Sequence, residues 1–224
     1  MENYMQLLSR LPREILRDVI YPKIRLALTD NTIRYGVQDY LAGGNRKQRI
    51  VAKYGEISNW DTSRVTNMSW LFNPTTSFNQ PLNKWDVSNV TNMEGMFNRA
   101  TSFNQPLNDW DVSNVQNMQL MFYQARSFNQ PLNDWDVSKV ENMKLMFQHA
   151  TFFNQPLNEW NVSNVKKMNH MFSFEQGLHA PWYCEQGFVA PFYRKYRQIY
   201  AAARAEGLGC RAAMRRAVDA YPPK

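Results

Sequence analysis

The stretch Trp85-Asp-Val-Ser-Asn-Val-Thr-Asn-Met-Glu-Gly-Met-Phe97 returns 25 residues later as Trp110-Asp-Val-Ser-Asn-Val-Gln-Asn-Met-Gln-Leu-Met-Phe122. The frame runs through the middle of the chain. Tryptophan recurs at Trp60, Trp85, Trp110, Trp135 and Trp160, and valine at Val65, Val90, Val115, Val140 and Val165. Methionine keeps the same step from Met68 to Met168, phenylalanine from Phe72 to Phe172 and again from Phe78 to Phe153, and leucine from Leu82 to Leu157. A fixed period of this length marks a solenoid, in which a unit buries its apolar face only by stacking on its neighbours. The expected fold class is therefore α/β: a leucine-rich-repeat-like solenoid of about five coils with short parallel strands and helical turns, capped by α-helices at both ends.

Within one unit, Val90, Met93, Met96, Phe97 and Ala100 share a face, and the spacing fits a short strand near 89–93 followed by a helical turn at 96–100. Pro106 forces an extended or turned return through Phe103 to Trp110. Asn79, Asn104, Asn129 and Asn154 are placed to form a ladder from coil to coil. Asp86, Asp111 and Asp136 precede a serine by two residues, the spacing of an Asx turn. A calcium column would need glycine-rich spacing, and Asn161 interrupts the carboxylates, so the structural role is expected. The methionines fall on the frame with Val and Phe and read as core rather than as soft-metal ligands.

The chain divides into an N-terminal helical cap at 1–57, the repeats at 58–172, and an aromatic cap with basic helices at 173–224. Net charge is +7, and the three segments carry ten, eight and eight Lys/Arg against six, nine and four Asp/Glu. The repeats are electrically balanced, so excess cations belong to the flanks. The tail gathers Arg194, Lys195, Arg197, Arg211, Arg215 and Arg216 on predicted helices with interleaved tyrosines. Such a basic patch suits an acidic protein surface more than nucleic acid, because no nucleic-acid-binding motif accompanies it.

In the cap, helices are expected near Pro12 to Ile20, from just after Asp30 or Asn31, either able to cap it, to Gly43, and from about Arg46 to Tyr54. Leu11-Pro12-Arg13-Glu14-Ile15-Leu16 resembles the opening of an F-box, which implies Leu11, Pro12, Ile15 and Leu16 as contacts to a Skp-type adaptor of ubiquitin ligases. A helix that merely covers the end of the stack is the other reading of the same residues. The repeat itself closely resembles the mycoplasma-type repeat family of unknown function, a relative of the leucine-rich repeats of bacterial surface proteins. That resemblance covers residues 54–172 and implies a solenoid without enzymatic activity.

Three histidines, no nucleophile in a recognisable setting and no phosphate-cradling loop argue against an enzyme, and no cofactor or metal is expected. Cys184 and Cys210 are too few for a disulfide framework. No apolar run approaches the roughly 20 residues that cross a bilayer, and no secretory signal opens the sequence, so an intracellular protein, cytoplasmic or within a particle, is expected. The positions that vary between units are Trp70, Gly95, Leu120, Leu145 and His170 in one column and Arg99, Tyr123, Gln124, His149 and Phe174 in another, and from these stand out Trp70, Arg99, Leu120, Tyr123, Leu145, His149 and His170. They are the candidate protein-binding residues. The expected function is a non-enzymatic protein-interaction module, and a ubiquitin-ligase substrate receptor if the first helix is an F-box. The alternative is a structural component of a large assembly, anchored by its basic flanks.

Overall fold

The structure is a computed structural model and describes residues 10–15, 26–155, 157, 159–172 and 205–207. A single helical turn, α1, spans Arg13–Ile15; α2 spans Asp30–Ala42 and α3 Gly44–Tyr54, and a 3₁₀ turn at Ile57–Asn59 leads into Trp60. Thr29, not Asp30 or Asn31, caps α2, and its capping box closes through the side chain of Thr32, which accepts from the Thr29 N–H at 2.8 Å. The helix turns Ile33, Val37 and Tyr40 inward. Gly36 lies on the same face because a Cβ there would stand 3.2 Å from the Trp60 ring. Most of the expected first helix, and everything expected between residues 173 and 204 and after 207, lies outside the described residues.

From Trp60 onward the 25-residue units stack in register. Phe72, Phe97, Phe122, Phe147 and Phe172 form one column with ring centroids 5.4–5.5 Å apart and nearly parallel planes. Phe78, Phe103, Phe128 and Phe153 form a second at 5.9–6.0 Å. The two columns touch within each unit, for example Phe97 and Phe103 at 4.2 Å. Val, Met, Leu and Trp of the frame complete a continuous apolar core. Each indole then needs a partner for its N–H. Trp85, Trp110, Trp135 and Trp160 donate it to the main-chain carbonyls of Ile57, Leu82, Leu107 and Leu132 in the preceding unit, at 2.7–3.0 Å.

The expected α/β solenoid with short parallel strands and helical turns is not what the chain forms. No strand or sheet occurs among the described residues; each unit contributes isolated parallel bridges, Asn67 to Asn92, Asn92 to Asn117, Asn117 to Asn142 and Asn142 to Lys167, with one more between Phe147 and Phe172. The expected strand at 89–93 shrinks to one residue, and the expected helical turn at 96–100 is a chain of tight turns. The cause is local. Asn92 Oδ1 accepts the N–H of Glu94 at 2.9 Å, an Asx turn that ends any extension, and Gly95 and Arg99 then take φ of +58°. A left-handed residue every fourth position breaks both the i→i−4 ladder of a helix and the continuous pairing of a strand.

Backbone groups are satisfied instead by an alternating scheme. Met96, Asn98 and Ala100 donate within their own turns, to Met93, Gly95 and Phe97, while Met93, Gly95, Phe97 and Arg99 donate to the next unit. The return arm is held by the asparagine column: Asn79, Asn104 and Asn129 each use Oδ1 to accept the N–H of the equivalent asparagine one unit on, at 2.8–2.9 Å. Asp61, Asp86, Asp111 and Asp136 accept the N–H of the serine two residues later at 3.0–3.1 Å. Asn161 makes the same contact at 3.2 Å, so the position needs an acceptor oxygen and no charge. The Ser138 hydroxyl and N–H hold the Asp136 carboxyl below its ordinary pKa, with Lys139 assisting.

Candidate interaction face

Among the described residues, seven other than glycine have positive φ: Trp70, Leu120, Leu145 and His170 in one column, and Arg99, Gln124 and His149 in another, all between 55° and 61°. Gly95 occupies the first column in the second unit at 58°. Left-handed backbone brings the Cβ of an L-residue against the following carbonyl, at a cost of about 1 kcal/mol or more, which Gly avoids. Trp, Leu, Arg and His therefore sit at positions where Gly would be the relaxed choice. They are not hidden: Trp70, Arg99 and His170 are exposed, and Leu120, Leu145, Gln124 and His149 are half-buried.

The same geometry turns these side chains outward from one side of the stack, which we call the turn face. Trp70 lies across Gly95, where an added Cβ would meet the indole at 2.5 Å. Tyr123 packs edge-on against His149 with ring centroids 5.8 Å apart, and its hydroxyl accepts from Gln124 Nε2 at 3.4 Å. Beside the first column, Glu94 accepts from Asn117 Nδ2 (3.2 Å) and Gln119 Nε2 (3.4 Å), and Gln119 accepts from Asn142 (2.9 Å). This polar strip fixes the flank of the face while the left-handed columns project from it.

Of the residues expected from sequence to bind a protein, Trp70, Leu120, Leu145 and His170 align in one column, and Arg99 and His149 in the other with Tyr123 adjoining. Gln124 belongs with them. The signal for this geometry was Gly95, a lone glycine in a column of large residues. Leu11, Pro12 and Ile15, expected to meet an adaptor, are exposed, whereas Leu16 and the basic patch Arg194, Lys195, Arg197, Arg211, Arg215 and Arg216 lie outside the described residues.

Among the described residues no group of three or more His, Cys, Asp and Glu side chains is arranged to hold a metal ion, and no helix is long and apolar enough to cross a membrane.

The described chain is thus a stack of turn-built units bearing one face of variable residues. Two overlapping segments, residues 46–150 and 110–183, match the family described as Mycoplasma protein of unknown function, DUF285, and the chain belongs to this family. No curated protein and no solved structure matches it.

Proposed function

We propose that the stacked units are a non-enzymatic binding module that holds a protein partner on the turn face. One observation carries this reading. Bulky residues are kept in left-handed backbone at an outward-facing column, unit after unit, where a glycine would be relaxed. Strain retained at a surface position marks a residue whose side chain is needed there. Trp70, Leu120 and Leu145 supply apolar anchors, and Arg99, Tyr123, His149 and His170 supply polar and aromatic contacts around them.

The test is cross-linking and capture from the source cell with the full chain and with a Leu120→Asn, Leu145→Asn variant, since Asn tolerates left-handed backbone and leaves the fold unstrained. Loss of a reproducible partner from the variant, with an unchanged melt, supports the face. Retention of every partner overturns it.

A second contact has its own support at the N-terminus. Leu11, just ahead of α1, and Ile15, its last residue, leave 37% and 41% of their surfaces exposed and belong to no part of the core. Apolar side chains presented this way suit docking to an adaptor of the Skp type, and a Leu11→Ala, Ile15→Ala variant that still copurifies with such an adaptor would dismiss it.

A further inference from the structure

Asparagine serves the stack itself in most of its columns. Asn92, Asn117 and Asn142 accept the N–H two residues on, at 2.9–3.1 Å. Asn89, Asn114 and Asn164 donate Nδ2 to a serine carbonyl of the preceding unit, at 2.6–2.9 Å. Asn98 breaks this pattern. It is only 6% exposed, yet its side-chain amide makes no hydrogen bond to any described residue. A nearly buried amide without a partner is costly, and a position that keeps one calls for a group arriving from outside. The amide atoms still reach the surface, so such a group has access.

The residues around Asn98 define what that group is. Arg99 follows it, exposed and at φ +58°, and donates its N–H to the Tyr123 carbonyl at 2.7 Å, which sets Tyr123 beside it in the third unit. Tyr123 packs edge-on against His149, one unit and one residue further along. The same offset leads from Asn98 to Gln124, whose Nε2 donates to the Tyr123 hydroxyl; that hydroxyl's own proton meets no acceptor among the described residues.

Charge on this arc has one sign. Residues 70–83, 95–108, 120–133 and 145–158 contain no Asp or Glu, and their basic residues are Arg99, Arg126 and His149. Neither arginine makes an ion pair or a side-chain hydrogen bond among the described residues. Glu94, close by in sequence, directs its two oxygens to Asn117 and Gln119. Open donors beside unpaired cations call for an anionic acceptor.

We infer that the turn face takes an acidic side chain of its protein partner at Asn98 and Arg99, the carboxylate accepting from the Arg99 guanidinium, Asn98 Nδ2 and the Tyr123 hydroxyl. The inference rests on the partner-binding role of the turn face and adds the chemistry of the partner. The site is remote from the end of the described stack: Phe97 lies three units from Phe172, at 5.4–5.5 Å per unit. Glu175 and Glu185, which follow Phe172 in the sequence, are the rival occupants, and the experiment removes them.

The full chain is titrated, with anisotropy as the readout, against a capped peptide of alternating Glu and Leu that carries a neutral dye, and against its Gln–Leu isostere. The Glu–Leu peptide is expected to bind at least about tenfold more tightly than the isostere and to weaken with salt. Arg99→Gln and Asn98→Ala should each bind it at least about fivefold more weakly with unchanged melts, since neither side chain has a partner within the fold to lose. Lys84→Gln, outside the turn face, and Glu175→Gln, Glu185→Gln should bind as the parent does. Equal affinity for the two peptides, no binding of the Glu–Leu peptide, or indifference to both Arg99→Gln and Asn98→Ala overturns the inference. Tighter binding by the Glu175→Gln, Glu185→Gln variant, or a lowered melt for Arg99→Gln, overturns it as well, because the chain then fills the site with its own carboxylate. If the peptide fails while Leu120→Asn, Leu145→Asn still abolishes capture of the cellular partner, only the acidic chemistry is wrong; if that variant keeps its partner, the face itself is wrong.

Discussion

Asp30 stands toward Thr66 as Thr66 stands toward Thr91: its Oδ1 accepts the Thr66 N–H at 2.7 Å, and one unit on the Thr66 carbonyl accepts the Thr91 N–H at 2.9 Å. Arg34 completes the substitution by donating to the Ser69 carbonyl at 2.6 Å, where a preceding unit would supply a main-chain N–H. Two side chains one turn apart on α2 thus meet, at the edge of the first unit, main-chain groups that a preceding unit would otherwise satisfy.

This contact makes stability depend on acid. Burial alone would raise the Asp30 pKa, but the Thr66 hydroxyl, the Thr66 and Asn67 N–H groups and Arg34 together hold it below the ordinary 3.8. A depressed carboxyl contributes stability that is fully present above its unfolded pKa and is lost as pH falls through the folded one. Asp30→Asn should therefore cost on the order of 1–2 kcal/mol near neutral pH, a cost that shrinks toward zero in acid below the ordinary carboxylate range. Denaturant melts of both proteins across pH would show it, and a constant difference at every pH would contradict the assignment.

The core makes a sharper demand at the centre of the stack. Phe122 is fully buried and stacks on Phe97 at 5.5 Å, Phe128 at 4.1 Å and Phe147 at 5.4 Å. Phe122→Ala should cost about 3–5 kcal/mol, because the rings on either side are held by their own neighbours and cannot collapse into the gap. Gln116→Ala, at an exposed position whose contacts to Thr91 and Glu141 are main-chain, should change stability by less than about 0.5 kcal/mol. Comparable losses in urea melts would show that the column is not the core.

Trp70 and Gly95 should be coupled. A Cβ at Gly95 would stand 2.5 Å from the Trp70 indole and would also take on left-handed strain at φ +58°. Gly95→Ala is expected to cost about 1–3 kcal/mol, and a Trp70→Ala background to restore the portion due to overlap while leaving the strain of about 1 kcal/mol. A double-mutant cycle measures this directly; strict additivity would mean that the indole does not lie on the glycine.

How far the sequence could be read follows from what each residue's role depends on. Trp85, Val90, Met93 and Phe97 could be placed in the core because the period alone assigns them one environment in every unit. Asn104 and Asp136 were legible because each pairs with a group at a fixed offset along the chain, 25 residues away or two. Strand and helical turn failed for a physical reason: the composition of Met93 to Ala100 suits both, and neither propensity reports that an Asx turn at Asn92 sends the chain into left-handed backbone. Leucine at positions 120 and 145 conceals that conformation, and only Gly95 hints at it. The contact of Asp30 with Thr66 spans 36 residues and depends on how α2 lies on the first unit, which no local pattern encodes.

Strain and contact at the turn face can be separated by one substitution. Leu145 has φ +61°, donates its N–H to Asn169 and is half-buried. Leu145→Gly keeps that hydrogen bond, removes left-handed strain of about 1 kcal/mol, and gives up a side chain that is only partly covered, so the two effects oppose each other and stability should shift by less than about 1 kcal/mol. Partner capture, by contrast, should fall at least about tenfold, because an anchor in the apolar column is gone. A residue retained only for packing would show the reverse: a clear loss in the melt and unchanged capture. Measuring both on the same preparation decides between these outcomes, and a variant that loses stability but keeps its partner would return Leu145 to the core.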